Sequence, residues 1–217
     1  MTKKILVLGT SSGIGKACVE YFRSKGHTVD TVSRSQGATF VGNLTESAFR
    51  RQLIDSVDHD VVINSVGVLY RSPAEVAHIN YGVAADLTLK LYDKLQSGSD
   101  IINISSISAT LTMNHGMPNE RIMYNSSKQG ISDVCVALAK ARRKDVRVVT
   151  LEPETVMPTD LAEITKKQIP PERYSNYNYD TFTPIQPSYI PEVINWIISQ
   201  PRWINIGRMT ILNNCKT

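Results

Sequence analysis

Short apolar runs alternate along this chain with stretches in which apolar residues return every three or four positions. The runs at 5–8, 27–33, 60–67 (ending in a glycine turn), 100–106, 146–151 and 208–212 have the length and make-up of strands. Between them, Ile14, Ala17, Cys18, Tyr21 and Phe22 mark one helical face. Ile79, Val83, Leu87 and Leu91 mark a second, and Ile131, Val134, Cys135, Leu138 and Ala139 a third. Helices are expected over 46–57, with Thr45 as candidate N-cap, over 74–95 and over 191–199, with a short strand at 38–41. This alternation predicts an α/β fold: a doubly wound, mostly parallel sheet formed as one domain over 1–217.

The first strand runs directly into Gly9, Thr10, Ser11, Ser12, Gly13, Ile14 and Gly15. A strand, a glycine-rich turn and a helix in that order make the first half of a dinucleotide-binding unit, the Rossmann arrangement. Gly9 would supply the tight turn, Gly13 a close backbone approach to a pyrophosphate, and Gly15 close packing of helix on strand. Free N–H groups at the helix start, with the helix dipole, favour phosphate charge. The plainer alternative is a strand–turn–helix that uses glycine only for its backbone freedom.

Composition narrows the class without choosing within it. The 217 residues are 41% apolar and 20% charged, enough for one packed domain and a lid. No apolar run reaches the length of a membrane span. The first strand follows Met1, Thr2, Lys3 and Lys4 at once, so no signal peptide is expected. Net charge is +4, and the nearest basic block, Arg142-Arg143-Lys144, falls where a helix should end and complements its dipole. Nucleic acid is therefore not an expected partner. Cys18, Cys135 and Cys215 are far apart without zinc spacing, which predicts no metal site and reduced thiols in a cytoplasmic protein.

Four motifs then fall in order: the G-x-x-x-G-x-G turn, Asn64-Ser65-Val66-Gly67, the strand ending Ile104-Ser105-Ser106, and Tyr124-Asn125-Ser126-Ser127-Lys128. In these the chain resembles the short-chain dehydrogenase/reductase family, and the likeness runs over nearly its whole length. The resemblance implies hydride transfer between a nicotinamide cofactor and a carbonyl or secondary alcohol of a small-molecule substrate. By it, Ser106 polarises the substrate oxygen, Tyr124 is the general acid–base, and Lys128 assists Tyr124 and grips the nicotinamide ribose. Asn80 would hold a water beside that lysine, although the family's N-x-x-G reads Asn80-Tyr81-Gly82 here. Residues four apart on a helix share a face. A phenol ordinarily titrates at about 10, and a neighbouring ammonium and an oxidised nicotinamide favour its phenolate. That brings acid–base work towards neutral pH.

Relatives meet the adenine ribose just past the second strand. Ser33 stands where NAD-preferring members often have Asp, and Arg34 offers a guanidinium suited to a 2′-phosphate. NADP(H) is therefore expected over NAD(H). Asn43 and Leu44 would lie by the adenine, Asn64, Ser65, Val66 and Gly67 along the cofactor, and Pro153, Glu154, Val156 and Thr159 by the carboxamide.

The chain departs from the family pattern in two places. Glu154 replaces the glycine of the family's Pro-Gly turn, and Tyr124 follows Ser106 by 18 positions, several more than relatives of the plain type. The extra length falls at 111–121, a polar loop with His115, expected beside the substrate. A substrate lid is expected over 155–188, where Tyr174, Tyr177, Tyr179, Asn176 and Asn178 suit a polar, sugar-like substrate. Two alternatives stay open. A sugar-nucleotide epimerase or dehydratase uses a similar Tyr–Lys pair and suits the long gap, but carries a larger C-terminal substrate domain. A non-catalytic NADP(H)-sensing protein would follow if the Pro153-Glu154 turn blocked the nicotinamide. By analogy, helices around Asn80 and Tyr124 would pair subunits into a homodimer or homotetramer.

Overall fold

Successive side chains of the first strand pack alternately on the two faces of the sheet, both of them buried. The structure is a computed structural model describing residues 1–69, 71–110, 119–141, 145–163 and 182–215. In it β1 (Lys4–Leu8) turns Ile5 and Val7 to one buried face and Leu6 and Leu8 to the other. The strands that follow are β2 (Thr28–Ser33), β3 (Phe40–Val41), β4 (Val61–Asn64), β5 (Asp100–Ile104), β6 (Arg147–Pro153), β7 (Phe182–Thr183), β8 (Arg208–Ile211) and β9 (Asn214–Cys215). Seven of them form one sheet in the order β3-β2-β1-β4-β5-β6-β8, with every neighbouring pair parallel. Strands covered on both faces must be apolar on both, which is why β4 is buried throughout.

Helices α1 (Gly13–Ser24), α2 (Ser47–Ser56), α3 (Pro73–Ala77), α4 (Ala84–Lys94), α5 (Asn119–Ala141) and α6 (Tyr189–Ser199) cover the sheet. Leu53 of α2, Leu87 of α4 and Ile131 of α5 pack in one core with Leu6, Val62, Ile101 and Val148. Cys18 and Phe22 of α1 and Ile194 and Ile197 of α6 pack in the other with Ile5, Ile63, Ile102 and Val149. The chain winds outward from β1 to β3, then returns to β4 on the far side of β1. Strand order thus reverses between β1 and β4, and a ligand crevice is expected at their carboxyl ends.

The doubly wound parallel sheet is as the sequence predicts, and several boundaries move. The short strand begins at Phe40, not Ala38. Thr45 is not an N-cap: α2 starts at Ser47 after Glu46, whose side chain makes no cap bond. The continuous helix expected over 74–95 is broken by a π-helical stretch, His78–Val83. Its break falls at Asn80, whose side chain is drawn inward to bond the neighbouring loop, an interaction that no periodicity reports. β5 ends at Ile104, and Ser106 instead caps a 3-10 turn, Ile107–Ala109. Asn119, Glu120 and Arg121 belong to α5, not to a loop; Glu120 in the first turn suits the helix dipole. The final helix starts two residues early, at Tyr189, because Pro191 is tolerated in a first turn, where its missing N–H costs nothing.

β7 and β9, unexpected from the sequence, pair antiparallel and fasten the end of the expected lid to the C-terminal segment. Residues 111–118 with His115, Arg142-Arg143-Lys144, and 164–181 with Tyr174, Asn176, Tyr177, Asn178 and Tyr179 lie outside the described residues. Among the described residues no helix is long and apolar enough to cross a membrane.

Candidate active site

The glycine turn sits at the strand reversal. Gly9 donates its N–H to Val32 O of β2 (3.0 Å), and Ser65 donates to Leu8 O (3.0 Å), so both flanking strands meet there. Gly9 has φ +82°, and a side chain on it would strike Val66. A Cβ on Gly15 would lie 2.1 Å from Gly9 O, so the first turn of α1 can approach only through glycine. Ser12, the N-cap, makes no side-chain cap bond. The first-turn N–H groups are thus not capped by that side chain, as a diphosphate site requires. Thr10, Ser12, Gly13 and Ile14 are half-buried and Ser11 is exposed, while the Thr159 methyl lies 3.4 Å from where a Gly13 side chain would begin. Thr159 therefore closes over the turn, held by its own bonds to Val156 O and from Ala162 N–H. These residues fit a dinucleotide.

Ser33 ends β2, where its hydroxyl accepts from Ser35 N–H at 2.8 Å, and Arg34 beside it is exposed. Asn43 turns its amide oxygen back on its own loop, accepting from Thr45 N–H at 3.1 Å. Leu44 packs into the core, and its carbonyl accepts from Arg50 Nη1 at 2.8 Å. Asn64 is likewise committed inward. Its Nδ2 donates to Asn103 Oδ1 at 3.0 Å and its Oδ1 accepts from Val66 N–H at 3.2 Å. It shapes the turn rather than presenting its side chain. Asn103, which the sequence reading passed over, continues that brace to Thr88 and Cys135.

The reactive side chains converge where β5, the π-helical stretch and α5 meet. Ser106 is half-buried, and its Oγ accepts from Ser108 N–H at 3.1 Å, which leaves its own proton free to donate. Tyr124 and Lys128 are buried one turn apart on α5, with Lys128 Nζ 5.8 Å from the Tyr124 ring centroid. The Arg121 guanidinium lies 5.6 Å from the same ring. Lys128 Nζ donates to Ile104 O at 3.0 Å, and burial pulls its amine down to about 8. Asn80, 1% exposed, does not face solvent. Its amide bonds Val68 N–H and O at 2.8 and 2.7 Å and Ser127 Oγ at 3.3 Å. That ties the Gly67 loop to the turn carrying Lys128.

In the turn after β6 the Glu154 side chain reaches the C-terminal segment. Its carboxylate accepts from Asn213 N–H at 2.7 Å, while Asn213 Oδ1 accepts from Thr155 N–H at 2.9 Å. The side chain is thus tied to the C-terminal segment. Pro153 ends the buried strand, and Val156 is buried and bridges Ile185.

Comparison with known proteins agrees with this geometry. The model of the NAD dependent epimerase/dehydratase family matches residues 5–159. A coniferyl-alcohol dehydrogenase of Pseudomonas sp. (strain HR199 / DSM 7063) is 31% identical over 115 residues, spanning 48% of this chain and 44% of that protein. The chain thus aligns with less than half the length of that relative. The 3-alpha-hydroxysteroid dehydrogenase of Pseudomonas sp. B-0831, solved with NADH, superposes with a TM-score of 0.80 at 20% identity, over 96% of this chain and 94% of that one. A short chain dehydrogenase family protein of Francisella tularensis subsp. tularensis SCHU S4 superposes at 0.78 with 23% identity, over 98% of each chain. With most of its length, residues 5–159, matched by the family model, the chain belongs to the NAD dependent epimerase/dehydratase family.

Proposed function

We propose that the chain is an NADP(H)-dependent oxidoreductase interconverting a carbonyl and a secondary alcohol on a polar small molecule. One observation carries this reading: a buried lysine amine stands 5.8 Å from the ring of a buried tyrosine, beside the half-buried Ser106 and the glycine turn. When bound, the nicotinamide supplies or takes the hydride. The Gly9 to Gly15 turn would hold its diphosphate, Arg34 its 2′-phosphate and Lys128 its ribose. Ser106 donates its free proton to the substrate oxygen. Tyr124 passes a proton to that oxygen, or takes one from it, and the Lys128 ammonium favours the ionised phenol. Asn80 keeps the lysine's turn against the Gly67 loop.

The relatives named above are dehydrogenases, and one of them holds NADH, which supports a nicotinamide cofactor. The choice of NADP(H) rests on Ser33 and Arg34. The bond from Asn213 N–H to the Glu154 carboxylate supports this reading over a purely sensing protein, because it ties that side chain to the C-terminal segment. Free Cys18 and Cys135, whose thiols burial pushes up to about 12, are inert and suit a reducing, cytoplasmic setting. Exposed Tyr81 and Leu89, on the helical segments beside α5, support pairing of two copies through that face.

A second reading, epimerisation or dehydration of a sugar nucleotide, is favoured by the family whose model matches 5–159. The test is NADPH fluorescence and 340 nm absorbance against a panel of ketones, keto-sugars and sugar nucleotides. The proposal expects NADPH to be consumed by a carbonyl compound. Conversion of a sugar nucleotide with no net change in cofactor favours the second reading, and binding without turnover across the panel contradicts both.

A further inference from the structure

A fully buried carboxylate lies behind the reactive side chains, in no part of the chemistry above. Glu152, one residue before the end of β6, is 0% exposed. A buried carboxylate is costly and persists only where its partners are well placed. Ser132 Oγ donates to Glu152 Oε1 at 2.7 Å and Thr210 Oγ1 to Oε2 at 3.3 Å. Arg208 Nε is 2.9 Å from Oε1 but finds no aligned acceptor among the described residues, so Arg208 supplies charge and the serine supplies direction.

From there the contacts lead to the site. Ser132 has one proton, and the carboxylate takes it. That turns the Ser132 lone pairs to Thr150 Oγ1 and Ser105 Oγ, at 3.1 and 3.0 Å. The single Ser105 proton is shared between Ser132 Oγ and the backbone carbonyl of Lys128, also at 3.0 Å, and both acceptors lie on α5. Ser105 is the residue before Ser106, and Lys128 Nζ bonds the carbonyl of Ile104, the residue before Ser105. Apolar contacts such as those of Ile131 press α5 onto the sheet but do not fix its position along its own axis. The directional bonds from Glu152 through Ser132 to Ser105 do.

We propose that Glu152 is a positioning residue: through Ser132 and Ser105 it sets the register of α5 against β5, and so the separation of Ser106 from Tyr124 and Lys128. This inference rests on the acid–base role assigned to Tyr124. Catalytic groups displaced by a fraction of an ångström lose rate steeply, up to about a hundredfold for 1 Å.

The test compares S132A, E152Q and E152L with the wild type. S132A keeps the Glu152–Arg208 charge pair and removes only the link, so its folding does not depend on a newly unpaired charge. The readouts are kcat and KM for a carbonyl substrate found in the panel, NADPH affinity by fluorescence, and ionisation of Tyr124 in the cofactor-free protein. The last is followed at 295 nm, with a Y124F background subtracted. S132A and E152L are expected to lose about tenfold in kcat with NADPH affinity within twofold, and to move the Tyr124 titration upward as the lysine drifts from the phenol. E152Q, which still accepts from Ser132, is expected to recover most of the rate. Variants that melt earlier but keep the wild-type kcat and Tyr124 titration overturn the proposal. If the wild type turns over nothing in the panel, the oxidoreductase reading fails, and the 295 nm titration alone still decides the positioning role.

Discussion

Gly67 and Lys128 are in such close contact that a Cβ on the glycine would lie 3.2 Å from the lysine Nζ, with Asn80 Oδ1 at 3.7 Å. The glycine of the Asn64-Ser65-Val66-Gly67 turn therefore does more than bend the chain: it clears the space into which the amine is pressed. The cost of that compression is desolvation of a charge, and it bears on stability as well as on chemistry.

Burial holds the Lys128 amine at about 8, against an ordinary value of 10.5. Below pH 8 the folded chain carries the full cost of the buried ammonium. Between pH 8 and 10.5 the unfolded chain binds more protons, so this contribution to stability rises with pH. The difference is on the order of 3 kcal/mol. K128M is expected to abolish turnover yet raise Tm at pH 7 by several degrees, at about 2–4 °C per kcal/mol. Calorimetry at pH 7 and pH 10 checks this: the advantage should shrink at pH 10, and a lower Tm for K128M at pH 7 contradicts it.

Most of the fold and the motif residues of the site were legible in the sequence, for a physical reason. Strands buried on both faces must be continuously apolar, and ligand residues in a parallel sheet follow those strands directly. Thus Gly9, Ser33, Asn64 and Ser106 could each be placed from the run before it. What stayed hidden depends on contacts between distant segments. The apolar pattern through 74–95 does not show the π-helical break at Asn80, because the cause is a hydrogen bond to Val68 across a loop. Ser105 directly follows β5, while Ser132 and Glu152 belong to α5 and β6, and no spacing along the chain joins them. The brace between Asn64 and Asn103 was hidden in the same way, because the two lie 39 positions apart.

Arg34 is the residue by which the cofactor preference stands. A charge-assisted bond to phosphate is worth about 1.5–3 kcal/mol, so R34L is expected to raise KM for NADPH tenfold or more and leave KM for NADH nearly unchanged. Initial rates with both cofactors decide it. Equal changes would show that Arg34 does not meet a 2′-phosphate.

Gly15 tests the phosphate-binding turn. A methyl group placed 2.1 Å from Gly9 O forces the turn and the helix apart. G15A should therefore weaken NADPH binding by more than tenfold, read by fluorescence titration, and wild-type affinity in that variant would remove the diphosphate from the turn.

At the opposite end of the sheet, Asp100 Oδ1 accepts from Arg147 Nε at 2.6 Å and from Arg202 at 3.0 Å, while Arg147 also donates to the carbonyls of Ile198 and Gln200 at the end of α6. Asp100 and Arg147 are both buried. Removing one member of such a pair leaves an uncompensated charge and costs about 3–5 kcal/mol. D100A is expected to lower Tm by about 10 °C, with KM for NADPH unchanged in the protein that remains folded. A shift of a degree or two would show that the pair contributes little.

The account depends most on the Tyr124 phenol as the group that exchanges a proton with the substrate oxygen. Y124F keeps the ring beside Arg121 and Lys128 and deletes only the hydroxyl that carries that proton. Single-turnover oxidation of NADPH by Y124F, beside fluorescence titration of NADPH binding, tests the claim most directly. The expected result is a rate reduced by about 10²–10⁴-fold with cofactor affinity within twofold of the wild type. A Y124F protein that oxidises NADPH at close to the wild-type rate would contradict it.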